Sequence, residues 1–219
     1  MNKQALVLGL GQFGMSLVRS LTELRVDVLA VDRRPELTRQ AADVAAQAAT
    51  FDVTDESALA QAAPERRDVC ICAIGAEARE ASIMCTALLR QMGAPRVIAR
   101  ANDPVLERIL RLVGAHEVVN PEREFGRRLA AHLAHEGVMG EYPLSAGIII
   151  TELVVPDVFV GRTLIDLGLP RQYGLTVVAI QRGDETLPTP DPRAKLRRDD
   201  ILVVVSKVGA VAKMMDSVG

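Results

Sequence analysis

Short apolar runs alternate with longer segments of helical periodicity through the first half of the chain. Consecutive positions of each run are apolar, which is typical of strands that helices cover on both faces. The runs fall at residues 5–8, 27–31, 48–52, 68–73, 96–100 and 117–119. Helical segments lie between them at residues 13–24, 35–42, 56–62, 76–92 and 104–113. This alternation predicts an α/β fold with a Rossmann-type, doubly wound parallel sheet.

A sixth helix is predicted over residues 121–136. Phe125, Leu129 and Leu133 recur there at four-residue spacing and form one apolar face, with charged residues elsewhere on the helix. The face can pack on its own domain, or the helix can leave the domain and pack on a partner subunit. The pattern alone leaves both arrangements open.

The chain changes character after this helix. Residues 137–140 interrupt the helical pattern, and strand-like runs follow at 148–155, 176–182 and 201–206. A short helix is predicted near 164–167 and a closing helix near 209–216, while a Gly183-Asp184 turn and the proline-rich residues 187–192 separate the last two strands. We therefore predict two domains: a Rossmann-type domain with its crossover helix at 1–137, and a smaller α+β domain at 141–219.

Composition limits the function classes. With 219 residues, of which 49% are hydrophobic, the chain can bury one ordinary core and a smaller second one. Lys and Arg total 26 against 28 for Asp and Glu, and there is no Trp, so neither charge nor aromatic stacking favours a nucleic-acid partner. No apolar run is long enough for a membrane span and no signal peptide is recognisable, which predicts a cytoplasmic location.

A G-x-G-x-x-G motif follows the first predicted strand directly. In that context Gly9 makes the tight turn, Gly11 lets a pyrophosphate approach the backbone, and Gly14 lets the helix pack on the strand. Asp32 ends the second strand, where a carboxylate accepts hydrogen bonds from the ribose hydroxyls and repels a 2′-phosphate. The order of strand, loop, helix, strand and acid predicts a binding site for ATP, ADP or NAD.

Further candidate contacts lie at the other strand ends, because ligands of open α/β sheets bind at the carboxyl ends of the strands. They are Gln12 and Phe13 in the glycine loop, Arg33 after Asp32, Asp52 and Val53 after the third strand, Ala73, Ile74 and Gly75 after the fourth, and Arg100 after the fifth. Arg100 is the strongest of these candidates, since it places a cation beside the phosphates. Arg33 can stack on the adenine or be solvated.

No catalytic constellation accompanies the motif. A hydride-transfer enzyme needs a second wall that holds its substrate over the nicotinamide, and usually an acid or base. The predicted second domain is too small for that wall, and the three histidines fit neither a Ser-His-Asp nor a nucleophile-elbow pattern. We therefore expect that the chain is not an enzyme; an NAD-dependent oxidoreductase and a ligand sensor acting on a soluble partner are the alternatives.

The whole chain resembles the regulatory subunits of Ktr and Trk potassium uptake systems, which consist of an RCK N-terminal and an RCK C-terminal domain. The resemblance rests on runs in both domains: residues 9–14 (GLGQFG), 29–32 (LAVD), 73–75 (AIG), 120–122 (NPE), 165–167 (IDL) and 173–174 (YG). It implies a nucleotide-sensing regulatory subunit of potassium ion transport. Such subunits form a homo-octameric ring on the cytoplasmic face of a membrane-embedded transporter and bind ATP or ADP, sometimes NAD.

The resemblance also assigns roles to individual residues. Glu122 matches the family's acid near the phosphates, where it can help to hold a cation. Gln12 stands where many Ktr-type members carry an arginine that reaches the terminal phosphate, so the preference between ATP and ADP is left open.

A second ligand is implied for the smaller domain. Some relatives bind cyclic di-AMP there at a dimer interface, in a pocket around the equivalents of Ile165, Tyr173 and residues 176–179. Arg171 is shifted by one position from the arginine that holds the cyclic dinucleotide in those relatives. Cyclic di-AMP therefore stays an open candidate.

Overall fold

The computed structural model describes residues 2–134, 137–145 and 147–218. The chain divides into two compact units, Met1–Arg123 and Glu124–Gly219. Within the described residues no helix combines the length and the hydropathy that a membrane span requires.

The first unit is built on a six-stranded sheet in the order β3-β2-β1-β4-β5-β6. Its strands are β1 Gln4–Leu8, β2 Asp27–Asp32, β3 Gln47–Thr50, β4 Val69–Cys72, β5 Val97–Arg100 and β6 Glu117–Val119. Every neighbouring pair is parallel. This is the doubly wound order, with the reversal between β1 and β4, and it confirms the predicted fold class.

Helices cover both faces of this sheet. They are α1 Gln12–Glu23, α2 Pro35–Ala42, α3 Glu56–Gln61, α4 Arg79–Gln91 and α5 Pro104–Leu112, with short 3-10 helices at Pro64–Arg66 and Ala76–Ala78. Side chains of β1 alternate between two cores: Leu6 and Leu8 join the cluster on one face, and Ala5 and Val7 join the cluster on the other. All four are fully buried, which explains why the run is apolar at every position.

Helix α6 spans Pro121–Ala134, and the last two residues of the predicted helix, His135 and Glu136, lie outside the described residues. Asn120 stabilises the start of α6, because its side-chain oxygen accepts a hydrogen bond from the N–H of Arg123 at 2.9 Å. The predicted apolar face is exposed: 58% of Phe125, 44% of Leu129 and 73% of Leu133 are accessible.

The second unit contains a five-stranded antiparallel sheet in the order β10-β9-β11-β8-β7. Its elements are β7 Val138–Ser145, β8 Ile148–Val154, α7 Leu164–Leu167, α8 Leu169–Tyr173, β9 Thr176–Arg182, β10 Glu185–Pro188, β11 Ile201–Lys207 and α9 Ala210–Val218. Leu153, Ile180, Leu202 and Val204 of the strands are buried with Met214 of α9 in one core cluster. The predicted smaller α+β module is therefore present.

Two strands of this sheet are absent from the sequence prediction. Residues 137–140, predicted as a break, lead into β7, and the stretch predicted as turn and proline-rich separator contains β10. Both are edge strands, where a proline can be tolerated because no partner needs its missing N–H. The pairing of β7 with β8 also shifts register twice, next to Gly140 and after Pro143.

Candidate functional site

A crevice of about 440 Å³ opens at the carboxyl ends of the strands in the first unit. The loop after β1 contributes Gly9 and Gly11 to its lining, and the segment after β4 contributes Ala73, Ile74 and Gly75. These two strands are neighbours at the point where the strand order reverses. Open α/β sheets bind their ligands at such a point.

The three glycines of the loop meet different geometric requirements. Gly9 has a φ of +93°, and a Cβ there would lie 3.1 Å from the backbone nitrogen of Ile74. A Cβ at Gly14 would collide with the carbonyl oxygen of Gly9, so only glycine lets α1 sit this close to the loop. A Cβ at Gly11 would meet no atom within 4 Å, which leaves open space on the side where a ligand approaches. Gly11 is also the N-cap of α1 and provides no side-chain cap, so the first amides of the helix can bind an anion.

Asp32 ends β2 inside the crevice, and only 5% of the residue is exposed. One carboxylate oxygen accepts a hydrogen bond from the backbone N–H of Leu10 at 2.7 Å, and the other accepts one from the backbone N–H of Arg34 at 2.9 Å. Burial raises the pKa of Asp32, but hydrogen bonds from the Arg34 side chain and from both backbone amides outweigh this effect and hold the pKa below its ordinary value. Asp32 is therefore a fixed anionic acceptor.

Four more of the predicted contacts line the crevice: Arg33, Asp52, Val53 and Arg100. The Asp52 carboxylate accepts hydrogen bonds from the backbone N–H of Thr54 at 2.9 Å and from its hydroxyl at 2.7 Å. These bonds lower the pKa of Asp52. Asp52 thus shapes the loop after β3 as well as lining the crevice.

Four predicted contacts are not part of the lining: Gln12, Phe13, Gly14 and Glu122. Gln12 is exposed on the first turn of α1, and Gly14 is buried where the helix packs on the loop. Phe13 packs under the guanidinium of Arg100, whose carbon lies 5.5 Å from the ring centroid.

Glu122 lies in the first turn of α6 and forms an ion pair with Arg100. Its carboxylate therefore binds the guanidinium of Arg100, which itself lines the crevice. The Nε atom of Arg100 is buried without a hydrogen-bond partner among the described residues. Arg100 is a partly desolvated cation, and 19% of its side chain is accessible. In the described residues no group of three or more metal-ligating side chains is found.

The sequence prediction missed part of the lining. The additional residues are Arg34, Thr54, Glu77, Ala78, Glu80, Ala81 and Met84. Most of them belong to the 3-10 helix after β4 and to the first two turns of α4. The strand-end rule would find them if it were extended by two helical turns beyond the strand.

A second pocket, of about 470 Å³, lies in the second unit. Its lining is formed by Leu164, Ile165, Leu169, Pro170, Thr176, Val177, Val178, Thr189, Pro190 and Pro192. Ile165 and residues 176–178 of the set that the resemblance assigns to a cyclic dinucleotide line this pocket, and Ala179 of that set does not. Tyr173 does not line the pocket, because its ring packs against the core of the unit and its hydroxyl accepts a hydrogen bond from Ser217 at 3.1 Å. Arg171 is also outside the lining, which contains no charged side chain.

Comparison with known proteins identifies both units. The TrkA-N domain family matches residues 5–121, and the TrkA-C domain family matches residues 150–219. Ktr system potassium uptake protein C of Bacillus subtilis (strain 168) is 33% identical over 97% of this chain and 96% of its own length. Ktr system potassium uptake protein A of Vibrio alginolyticus is 33% identical over 99% of this chain and 98% of its own length.

Solved structures share the fold. The GsuK channel superposes with a TM-score of 0.73 at 22% identity, covering 100% of this chain and 40% of the channel chain. The GsuK channel bound to NAD gives a TM-score of 0.70 at 21% identity, with the same two coverages. The TrkA-N domain of the inner membrane protein ybaL from Escherichia coli gives 0.54 at 21% identity, covering 61% of this chain and 98% of that domain. The full-length matches and both domain families show that the chain belongs to the family of TrkA-N and TrkA-C domain proteins that includes the Ktr system potassium uptake proteins A and C.

Proposed function

We propose that this chain is a nucleotide-sensing, cytoplasmic regulatory subunit that gates a membrane-embedded potassium transporter. The observation that carries the proposal is the 33% identity to a Ktr system potassium uptake protein over 97% of the chain. This identity extends over both units, so the similarity is not limited to the nucleotide-binding fold. The crevice at the strand ends supplies the ligand site that a sensor needs.

The ligand that fits the crevice is an adenine nucleotide. Asp32 would accept hydrogen bonds from the ribose hydroxyls, and its negative charge disfavours NADP, whose ribose carries a 2′-phosphate. The amides at the start of α1 would hold the phosphates, and Arg100 would add a charge-assisted hydrogen bond. We take ATP and ADP as the leading ligands. NAD is the second choice, supported by a solved GsuK channel that is bound to NAD.

The proposed contacting residues belong to the glycine loop or follow the ends of the strands. We propose Gly9, Gly11, Gln12, Phe13, Gly14, Asp32, Arg33, Asp52, Val53, Ala73, Ile74, Gly75, Arg100 and Glu122 as the nucleotide site, directly or through a neighbour. For Phe13 and Gly14 the role is indirect: the ring of Phe13 supports Arg100, and Gly14 seats α1. Glu122 would act on the phosphates through Arg100, or through a cation once that ion pair opens.

Sensing requires that two ligands favour different states of the protein. ATP and ADP differ only at the terminal phosphate, so the residues that distinguish them must lie at the phosphate end of the site, near Gln12, Arg100 and Glu122. A longer phosphate chain would compete with Glu122 for the guanidinium of Arg100. That competition offers a physical difference between the two nucleotides.

The chemistry of the crevice is sufficient for a sensory role. Its polar lining consists of carboxylates, guanidinium groups and the hydroxyl of Thr54. These groups bind and orient a nucleotide. We therefore propose a regulatory protein and not an enzyme, acting as a homo-oligomer, with an octameric ring as the expected form.

The pocket of the second unit is a candidate for a second ligand. Its apolar lining could cover purine faces, which keeps cyclic di-AMP as a candidate there. The lining has no cation that could bind a phosphate. Cyclic di-AMP is therefore a weaker candidate for this pocket than an adenine nucleotide is for the crevice of the first unit.

Affinity purification tests the partner. The tagged chain is incubated with detergent-solubilised membranes and, separately, with the soluble fraction of the same cells, each with ATP or ADP. The proposal expects a membrane-embedded potassium transporter in the first eluate, in amounts that depend on the nucleotide. Recovery of a soluble partner alone would favour a sensor that acts on a soluble protein. Reduction of NAD in the presence of a copurified substrate would favour the oxidoreductase.

A further inference from the structure

The carboxylate of Asp32 already has two ligands that the backbone fixes and two that a side chain supplies. The N–H groups of Leu10 and Arg34 each occupy one oxygen, at 2.7 and 2.9 Å. The guanidinium of Arg34 occupies the same two oxygens, with Nε at 3.2 Å from one and Nη2 at 3.5 Å from the other. A carboxylate has about four acceptor positions, so this set leaves none for a ribose.

The guanidinium of Arg34 therefore occupies the acceptor positions that the two hydroxyls of a ribose would need. The two backbone bonds are part of the turn after β2 and stay in place when the side chain moves. The Arg34 side chain is 51% exposed and only the longer bonds hold it, so it can leave at low cost. If it leaves, one acceptor position is free on each oxygen, which matches the two hydroxyls of a cis-diol.

Besides Asp32 and Asp52, two glutamates line the crevice: Glu77 and Glu80, on the wall formed by the segment after β4. Glu77 lies in the 3-10 helix after β4, whereas Arg34 follows β2, and β1 lies between these two strands. Strands in a sheet are about 4.8 Å apart, so the two walls are separated by about 10 Å, which an arginine and a glutamate can bridge together. A Cβ at Gly75 would collide with the Glu77 carboxylate, so this group lies over the segment after β4 and inside the crevice.

The charges on the two walls already interact. Among the contributions that raise the pKa of Arg34, the hydrogen bond from its side chain to Asp32 is the largest, and the charges of Glu36 and Glu77 also contribute. Glu36 lies on α2 and does not line the crevice, while Glu77 does. Glu77 both lines the crevice and contributes to the raised pKa of Arg34, so it is the acid that we expect a displaced Arg34 to meet across a bound ligand.

We propose that Arg34 is a latch for the ribose: it releases Asp32 to the ribose hydroxyls of an adenine nucleotide and then pairs with Glu77 across the crevice. The proposal rests on the proposed nucleotide-binding function and assigns a positioning role within that same site. The ion pair between Arg34 and Glu77 closes over the bound nucleotide and slows its dissociation. A ligand without the two hydroxyls leaves Arg34 on Asp32 and the latch open.

The latch is tested by the dissociation rate of etheno-ADP, whose fluorescent modification is on the adenine and leaves the ribose free. The rate is measured by stopped-flow chase with ADP for the parent chain, Glu77→Gln, Arg34→Gln and the double variant. We expect Glu77→Gln to speed dissociation by about two- to fivefold when Arg34 is present, the range of a solvent-exposed ion pair. In the Arg34→Gln background the same substitution should leave the rate unchanged. Glu23→Gln is the matched control, since Glu23 is exposed at the end of α1 and does not line the crevice, and it should leave the rate unchanged.

The outcomes distinguish failure of the latch proposal from failure of the proposed nucleotide-binding function. An equal effect of Glu77→Gln in both backgrounds is a general charge effect and overturns the latch, as does no effect in either. In both cases nucleotide binding itself stands. If the parent chain binds neither etheno-ADP, ADP nor NAD, the proposed function fails and the latch fails with it.

Discussion

Asp32 combines three properties that a ribose acceptor needs: burial, charge and fixed orientation. Its side chain is 6% exposed, its lowered pKa keeps it ionised at neutral pH, and backbone N–H groups fix both oxygens. The backbone bond from Leu10 also ties Asp32 to the glycine loop, so the proposed ribose acceptor and the proposed phosphate-binding loop hold each other in place.

Removal of the Asp32 carboxylate should weaken the binding of every adenine nucleotide. Because a hydrogen bond to a charged group contributes about 1.5–3 kcal/mol, Asp32→Ala should lower the affinity for ADP, ATP and NAD by about 10- to 150-fold. Isothermal titration calorimetry measures the affinities. Asp27→Ala, at the other end of the same strand and exposed, is the control and should bind as the parent does. Unchanged affinity of Asp32→Ala for all three nucleotides would remove Asp32 from the site.

Gln12 should limit the contrast between ATP and ADP. A neutral amide can donate a hydrogen bond to a phosphate, but it lacks the charge of an arginine, and a charged donor is worth about 1 kcal/mol more. Gln12→Arg should therefore enlarge the ratio of ATP to ADP affinity by about fivefold. Ser16→Arg, one turn further along α1 and also exposed, adds the same charge away from the helix start and should change the ratio little. Equal ratios in the two variants would contradict a phosphate contact at Gln12.

Residues whose roles depend on the backbone could be predicted from the sequence, and residues whose roles depend on side-chain partners could not. Gly9, Gly14 and Asp32 follow from the motif, because its spacing determines where the turn, the helix seat and the strand end fall. The pairing of Glu122 with Arg100 depends on which of several charged neighbours each side chain meets. The pattern of apolar and polar residues in the sequence does not indicate which charged side chains pair.

Among the strands, burial and sequence pattern determine which ones could be predicted from the sequence. The inner strands β1, β2, β4 and β5 of the first unit are largely buried, whereas its edge strands β3 and β6 are partly exposed. Each predicted run lies within about two residues of its strand at either end. Edge strands β7 and β10 have one free edge and accept Pro143 and Pro188, so their sequences look like turns. Strand β11 at the centre of the second sheet is apolar and was predictable.

An ion pair holds β9 to the start of β11 and should make the second unit sensitive to acid. Asp200 is 1% exposed and accepts two bonds from the Arg182 guanidinium, both at 2.7 Å. The hydrogen bonds from Arg182 are the main reason that the pKa of Asp200 is lowered in the folded chain. A lowered folded pKa means that the stabilisation is present above the unfolded pKa of about 3.9 and is lost as the pH falls through the folded pKa.

Asp200→Asn should therefore lower the free energy of unfolding of the second unit by about 1.5–3 kcal/mol at pH 7, and the difference from the parent should shrink below about pH 4. Urea denaturation followed by tyrosine fluorescence measures this unit alone, since the chain has two tyrosines and no tryptophan, and Tyr142 and Tyr173 both lie in it. Asp199→Asn, exposed and adjacent, is the control. A difference that grows as the pH falls would have the wrong sign for this pair.

At the scale of the whole molecule, two sets of exposed apolar side chains point to assembly. Phe125, Leu129 and Leu133 form the apolar face of α6. A second set, Met84, Val105 and Leu112, lies on α4 and α5 and is between 53% and 77% exposed. Two distinct interfaces on one chain can close a ring, whereas one self-complementary interface gives only a dimer.

We expect a homo-oligomer larger than a dimer. An octamer of 23.6 kDa chains would have a mass of about 190 kDa. Size-exclusion chromatography with light scattering gives the mass at micromolar concentration. Leu129→Glu should reduce it, because it places a charge in one of the two interfaces, while Arg127→Glu on the same helix is the control for a charge change outside the apolar face. A monomer mass for the parent chain would contradict assembly.

Potassium flux through the partner transporter measures gating itself. The chain is added to proteoliposomes that contain its partner transporter, and uptake is measured with ATP, with ADP and without nucleotide. We expect flux to depend on the subunit and to differ between ATP and ADP, because a ligand switches a protein only through unequal affinity for its two states. Asp32→Ala should remove the difference between nucleotides. Flux that is indifferent to the subunit in every nucleotide state would contradict the account.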